Sequence, residues 1–144
     1  MKSTNILKSK TGRILLIEDE QNLVDLYHSY FESKGYDFLS TKDIKEAEKL
    51  AEFEKPDVIL LDLILPKEEG GIIKTDAEQG YEFFALAKKN PKIKDIPILV
   101  FTSLNTDYDR QKCSKLGAAG YLFKGRATPQ EVLEAVAEMI KKSK

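Results

Sequence analysis

Five stretches of the chain are apolar enough to be strands, and between them apolar residues recur at helical spacing. The most solid is Val58–Leu61, which runs into Asp62 and continues through Leu63, Ile64 and Leu65 to Pro66. A run of this kind suits a strand covered on both faces, as in a parallel sheet flanked by helices. Arg13–Asp19 (RILLIED) repeats the pattern and ends in acids. Tyr36–Thr41 alternates, as an edge strand does, and Ile96–Phe101 and Ala119–Lys124 supply two more strands.

Helices fill the gaps. From Glu20 to Lys34 the residues Leu23, Leu26, Tyr27, Tyr30 and Phe31 form one stripe, stopped by Gly35. Asp43 and Glu46 signal a helix start, with Ile44, Ala47, Leu50 and Ala51 facing inward. After an irregular, charged, glycine-bearing segment, helices are predicted over about Glu78–Lys89 and Thr106–Leu116. The second of these is mostly polar, with Tyr108 and Leu116 as its chief apolar contacts. Thr128, Pro129 and Glu131 give cap, first-turn proline and capping-box acid to a last helix, whose stripe is Val132, Leu133, Val136, Met139 and Ile140. Strand and helix alternate five times, which predicts an α/β fold with a doubly wound parallel sheet and helices on both faces.

In such a fold the carboxyl ends of the strands share one edge, where ligands bind. Four strands end in candidate site residues: Glu18 and Asp19, Asp62, Thr102, and Lys124. Singly, an acidic pair starts helices, a threonine ends a strand, and a lysine is solvated. Jointly they pose an electrostatic problem. Carboxylates about 5 Å apart, at an effective dielectric near 20, repel by roughly 3 kcal/mol per pair. A hard divalent cation with oxygen ligands, Mg²⁺ above all, relieves this and keeps positions open for phosphate oxygens. Asp62 is then a nucleophile toward phosphorus, with Lys124 balancing oxygen charge and Thr102 donating a hydrogen bond.

At 144 residues the chain suits one domain burying about two-thirds of its unfolded surface. A net charge of −1 and a pI near 5.9 provide no basic surface for nucleic acid. The single cysteine, Cys113, excludes an internal disulfide and fits a reducing, cytoplasmic setting. No apolar run reaches the roughly 20 residues of a membrane span. Residues 1–12 are basic, lack a secretory apolar core, and read as a loose leader. His28 and Cys113 have no catalytic partners at useful spacing.

In combination and in order, the motifs ILLIEDE, PDVILLDLILP, PILVFTS and GAAGYLFK resemble the receiver domain of two-component response regulators, over about residues 13–142. The resemblance implies a flavodoxin-like sheet of order 2-1-3-4-5 and a chain that modifies itself without being a general enzyme. It implies that Asp62 takes phosphate from a sensor histidine kinase. Asp19 and Asp62 would ligate Mg²⁺ directly, Glu18 mainly through water, and Ile64 by its backbone carbonyl. Tyr121 would be an aromatic switch, rotating inward as Thr102 turns toward the phosphoryl group. The output would be a surface of the fourth helix, fifth strand and fifth helix, docking a downstream protein target and admitting a phosphorylation-dependent homodimer. Because the chain ends soon after the fifth helix, a stand-alone, chemotaxis-regulator-like receiver is expected, without direct contact to nucleic acid.

Three departures qualify the resemblance. Gly125 follows Lys124 where the family usually has proline, so a trans bond and an altered loop are expected. The connection after Asp62 is about ten residues too long; Gly70 and Gly80 both fit the family's glycine, which puts an insertion at about 70–80, as a flap, a partner surface or a tolerated loop. Ile64 and Leu104, two beyond Asp62 and Thr102, offer no polar group to orient water, so a long-lived phosphoryl state is expected. Of the rivals, a flavin protein is disfavoured by the acids Glu18–Glu20, and an aspartyl phosphatase by Ile64. A pseudo-receiver that binds without phosphorylation is the stronger alternative.

Overall fold

The computed structural model describes residues 11–143. The leader expected over 1–12 lies, except for Thr11 and Gly12, outside the described residues. The elements are β1 (Gly12–Ile17), α1 (Gln21–Ser33), β2 (Tyr36–Thr41), α2 (Ile44–Glu54), β3 (Val58–Leu61), β4 (Lys67–Glu69), β5 (Ile72–Lys74), α3 (Glu78–Lys89), β6 (Ile98–Thr102), α4 (Asp107–Leu116), β7 (Gly120–Phe123) and α5 (Pro129–Lys142). Five of the strands form one parallel sheet in the order β2-β1-β3-β6-β7, while β4 and β5 pair separately. With that hairpin set aside, this is the expected doubly wound order 2-1-3-4-5.

Successive side chains of a strand point to opposite faces, and two cores result. Ile14 and Leu16 pack with Val24, Tyr27 and Phe31 of α1 and with Val132, Val136 and Ile140 of α5. Leu15 and Ile17 pack with residues of α2, α3 and α4 on the other face. One register row, Thr41–Ile17–Leu61–Val100–Tyr121, crosses the whole sheet and levels its carboxyl edge.

Several boundaries and stripes differ from expectation. β1 starts one residue early, at Gly12. β6 starts at Ile98 rather than Ile96, because Pro97 has no N–H to pair; its carbonyl still accepts from Ile59 N at 2.9 Å. The α1 stripe is phased on Val24, Tyr27 and Phe31, which leaves Leu26, expected inside, 53% exposed. On α4 the buried residue is Cys113, and Tyr108 stands in solvent. The α5 capping box of Thr128 and Glu131 forms as read.

The segment after Asp62 is not irregular. Gly70 and Gly71 have φ of 58° and 82°, positive at both central positions as a two-residue hairpin turn requires, and they join β4 to β5. Gly80 meets a different demand. A Cβ there would lie 2.8 Å from the Leu63 carbonyl carbon, so the first turn of α3 rests directly on the residue after Asp62. The Lys124–Gly125 bond is trans, as are the other peptide bonds among the described residues. Among those residues no helix is long and apolar enough to cross a membrane.

Candidate functional site

Ladder bonds fix the stations of the rim residues. Glu18 N donates to Thr41 O at 2.9 Å, Asp62 N to Ile17 O at 3.0 Å, and Lys124 N to Thr102 O at 2.8 Å. Each residue thus leaves its strand while still bonded to the neighbouring one. Three distant segments are held together in this way.

Their side chains meet. Lys124 Nζ donates to Glu18 Oε1 at 2.6 Å and to Asp62 Oδ2 at 3.0 Å. Glu18 and Asp62 are 3% and 4% exposed, so neither charge is dissolved in bulk water. The remaining oxygens are used as well: Asp62 Oδ1 accepts from Ile64 N at 3.1 Å, and Glu18 Oε2 from Glu20 N at 3.2 Å. Asp19 is exposed at the mouth of the group. Carboxylate oxygens of Glu18, Asp19 and Asp62 lie within 4.8 Å of one another.

Two buried carboxylates share one ammonium beside a third acid, and the crowding of the buried pair shows in the titration. Burial, and then the Asp62 charge, push the Glu18 carboxyl from its usual 4.5 up to about 7 against the opposing pull of Lys124. Burial disfavours the Lys124 charge, but Asp62 and Glu18 more than offset it, so its pKa lies above the ordinary value. A cluster of hard oxygen donors with surplus negative charge fits a divalent cation such as Mg²⁺. From Asp19 a cleft of about 390 Å³ opens between Lys42, Asp43, Pro66, Lys67, Glu68 and Gln79.

Residues 14–137 match the response regulator receiver domain. The chain belongs to that family. The receiver is 34% identical, over 131 residues, to the alkaline phosphatase synthesis transcriptional regulatory protein PhoP of Bacillus subtilis (strain 168), an alignment covering 91% of this chain and 49% of that protein. It is 27% identical, over 130 residues, to the probable transcriptional regulator ycf27 of Porphyridium aerugineum, covering 90% and 48%. The chain therefore spans about half the length of these curated relatives. Among solved structures, the BeF3-activated receiver domain of Klebsiella pneumoniae RstA superposes with a TM-score of 0.74 at 23% identity, covering 90% of this chain and 98% of that one. The receiver domain of the sensor histidine kinase PA1611 from Pseudomonas aeruginosa PAO1, which has a magnesium ion coordinated in its active-site cleft, gives 0.73 at 25%, also covering 90% and 98%.

Within this receiver, the other predicted residues lie on the adjoining side of the rim. Thr102 is fully buried, and its Oγ1 accepts from Leu104 N at 3.4 Å. Tyr121 is half-buried, and its hydroxyl donates to Leu104 O at 2.8 Å. Both therefore converge on one loop residue, while Ile64 meets Asp62 through its N–H. Reading the sequence missed Tyr81, Asp109 and Arg110, which surround Tyr121 and the start of α4. Thr106-x-x-Asp109 was a visible capping signal; the stacking of Arg110 on Tyr121 had none.

Proposed function

We propose that Asp62 accepts a phosphoryl group from the phosphohistidine of a sensor histidine kinase in the cytoplasm. The gain in charge then switches the surface of α4, β7 and α5 toward a downstream protein target. One observation carries the reading: the Lys124 ammonium sits between the buried carboxylates of Glu18 and Asp62, at 2.6 and 3.0 Å, beside a third acid, Asp19. A structural ion pair needs one acid. Two acids on one cation, with a third acid within 4.8 Å of both, form a site that calls for another cation.

Asp19 and Asp62, with support from Glu18 and the Ile64 carbonyl, would hold Mg²⁺, which would supply the positive charge that phosphoryl oxygens require. A carboxylate oxygen of Asp62 forms the new O–P bond as the P–N bond of the phosphohistidine breaks. Lys124, already 3.0 Å from Asp62 Oδ2, is placed to transfer its hydrogen bond to a phosphoryl oxygen. Thr102 donates its hydroxyl to another, releasing its contact with Leu104 N, and Tyr121 follows through the same loop. Outside this self-modification the domain performs no chemistry. Ile64 and Leu104, two residues beyond Asp62 and Thr102, offer no polar group to orient an attacking water, so hydrolysis is slow.

The test is incubation with acetyl phosphate and Mg²⁺, followed by intact mass. Wild type should gain one phosphoryl group and Asp62→Ala none. No gain in wild type, or an equal gain in both, would refute the assignment in favour of a phosphorylation-independent binding module. After removal of the donor, the modified protein should persist far beyond seconds; a half-life of seconds contradicts the apolar-shielding argument.

A further inference from the structure

α4 has little apolar surface to hold it in place. Of its ten residues Cys113 is the buried one, and Tyr108 is 68% exposed. Polar contacts on its first turn do the holding instead. Tyr81, on the first turn of α3, donates its hydroxyl to Asp109 Oδ1. The other oxygen of that carboxylate accepts from the Thr106 hydroxyl at 2.6 Å, and Thr106 Oγ1 accepts from Asp109 N at 3.1 Å. Lys112 Nζ stands 4.1 Å from the centre of the Tyr81 ring. The residue after Asp109 is Arg110. Its guanidinium lies 4.8 Å from the centre of the Tyr121 ring and donates to Asn105 Oδ1.

The other end of this arrangement reaches the acceptor. Tyr81 follows Gly80, which packs on the backbone of Leu63, the residue next to Asp62. A continuous set of contacts therefore runs Asp62–Leu63–Gly80–Tyr81–Asp109–Arg110–Tyr121. It is separate from the path through Thr102.

We propose that Tyr81 and Arg110 are positioning residues of the switch: Tyr81 fastens the start of α4 to α3 through Asp109, and Arg110, carried on that turn, covers Tyr121 and favours its hydrogen bond to Leu104 O. A hydroxyl bonded to a carboxylate is a charge-assisted hydrogen bond, stronger than a neutral one. A guanidinium over a half-buried ring adds a cation–π attraction. With a single buried side chain on α4, loss of either contact shifts the population of Tyr121 orientations. The proposal rests on the phosphoryl-acceptor reading for its input, and its own content concerns Tyr121.

The experiment places 3-fluorotyrosine at Tyr121 in the full chain and records its fluorine resonance, first without additions and then through a titration with Mg²⁺ and beryllofluoride. In Tyr81→Phe, which keeps the ring, and in Arg110→Leu, the unloaded resonance should move toward that of a solvent-exposed tyrosine. Because the Leu104-bonded ring is, on this proposal, the inward orientation that loading favours, the beryllofluoride midpoint should rise by roughly three- to tenfold, the range a single hydrogen bond commands, with the midpoint for Mg²⁺ alone unchanged. The double variant should do little more than the larger single one, since both act along one path. A resonance that neither substitution moves overturns the proposal, even if melting temperature falls, because a purely structural role predicts that result. Failure of the acceptor reading is seen separately, as an unchanged beryllofluoride response in Asp62→Ala.

Discussion

β1 and β3, which bring Glu18 and Asp62 to the rim, expose nothing along Ile14–Ile17 and Val58–Leu61, each residue being 0% accessible. β7, which brings Lys124, is half-buried along its length, and the helix before it buries Cys113. The two sides of one site are therefore mounted differently. Carboxylates about 5 Å apart change their repulsion by roughly half a kcal/mol for each ångström of drift at an effective dielectric near 20. Groups that set such a field need close-packed supports, and parallel central strands provide them. Thr102 and Tyr121 both bond to Leu104, and the reorientation we propose for them is one that a lightly packed neighbour permits.

The sharpest way to break this contrast is to hollow the rigid side. Leu60→Ala should cost about 3–4 kcal/mol in urea unfolding, from lost transfer energy plus the cavity left behind. A loss below about 1 kcal/mol would deny β3 its role as the stiff mount. Next comes pH. Folded Glu18 holds its proton to about 7, whereas the unfolded chain releases it near 4.5, so the folded state binds the extra proton between these values. Stability without Mg²⁺ should therefore fall as pH rises through that window, by on the order of 3 kcal/mol, and saturating Mg²⁺ should flatten the slope. Unfolding midpoints from pH 4.5 to 7.5 measure both effects; stability rising over that range in the absence of Mg²⁺ would reverse the sign.

Gly80→Ala tests the joint between the two sides. The new Cβ overlaps the Leu63 backbone, which cannot yield as a side-chain tip can, so a loss of about 2 kcal/mol is expected. The smallest effect belongs to the lightly packed side. Tyr108→Ala should change stability by less than about 0.5 kcal/mol, as befits an exposed ring.

Much of this was readable in the chain because apolar runs ending in acids, a hydroxyl and an amine have few uses other than a sheet edge. The Asp62 run shows why: burial on both faces forbids a mid-strand charge, so Asp62 had to mark the strand's end. Phase was less legible. Leu23, Val24, Leu26 and Tyr27 allow several stripes at helical spacing, and the sheet beneath α1 selected Val24 and Tyr27 while leaving Leu26 outside. On α4 the sequence offered Tyr108 and Leu116 as the chief apolar contacts, yet Cys113 rather than Tyr108 supplies the anchor, since a small thiol fits close to the sheet where a tyrosine does not. The hairpin had its signal in Gly70-Gly71 between KEE and IIK, a two-residue turn flanked by extended segments. The Tyr81–Asp109 bond had none, because a pairing between two helices depends on how they come to lie together.

A Cβ added at either glycine of the Gly70–Gly71 turn would meet nothing within 4 Å, and Ile72 and Ile73 beside it are 67% and 66% exposed. Neither glycine touches the five-stranded sheet, so an epitope or a small fluorophore spliced between them should leave the fold intact. The same hairpin lends Lys67 and Glu68 to the cleft at Asp19, so such a graft would report arrivals there as a change in brightness, making this loop the natural place to instrument the protein.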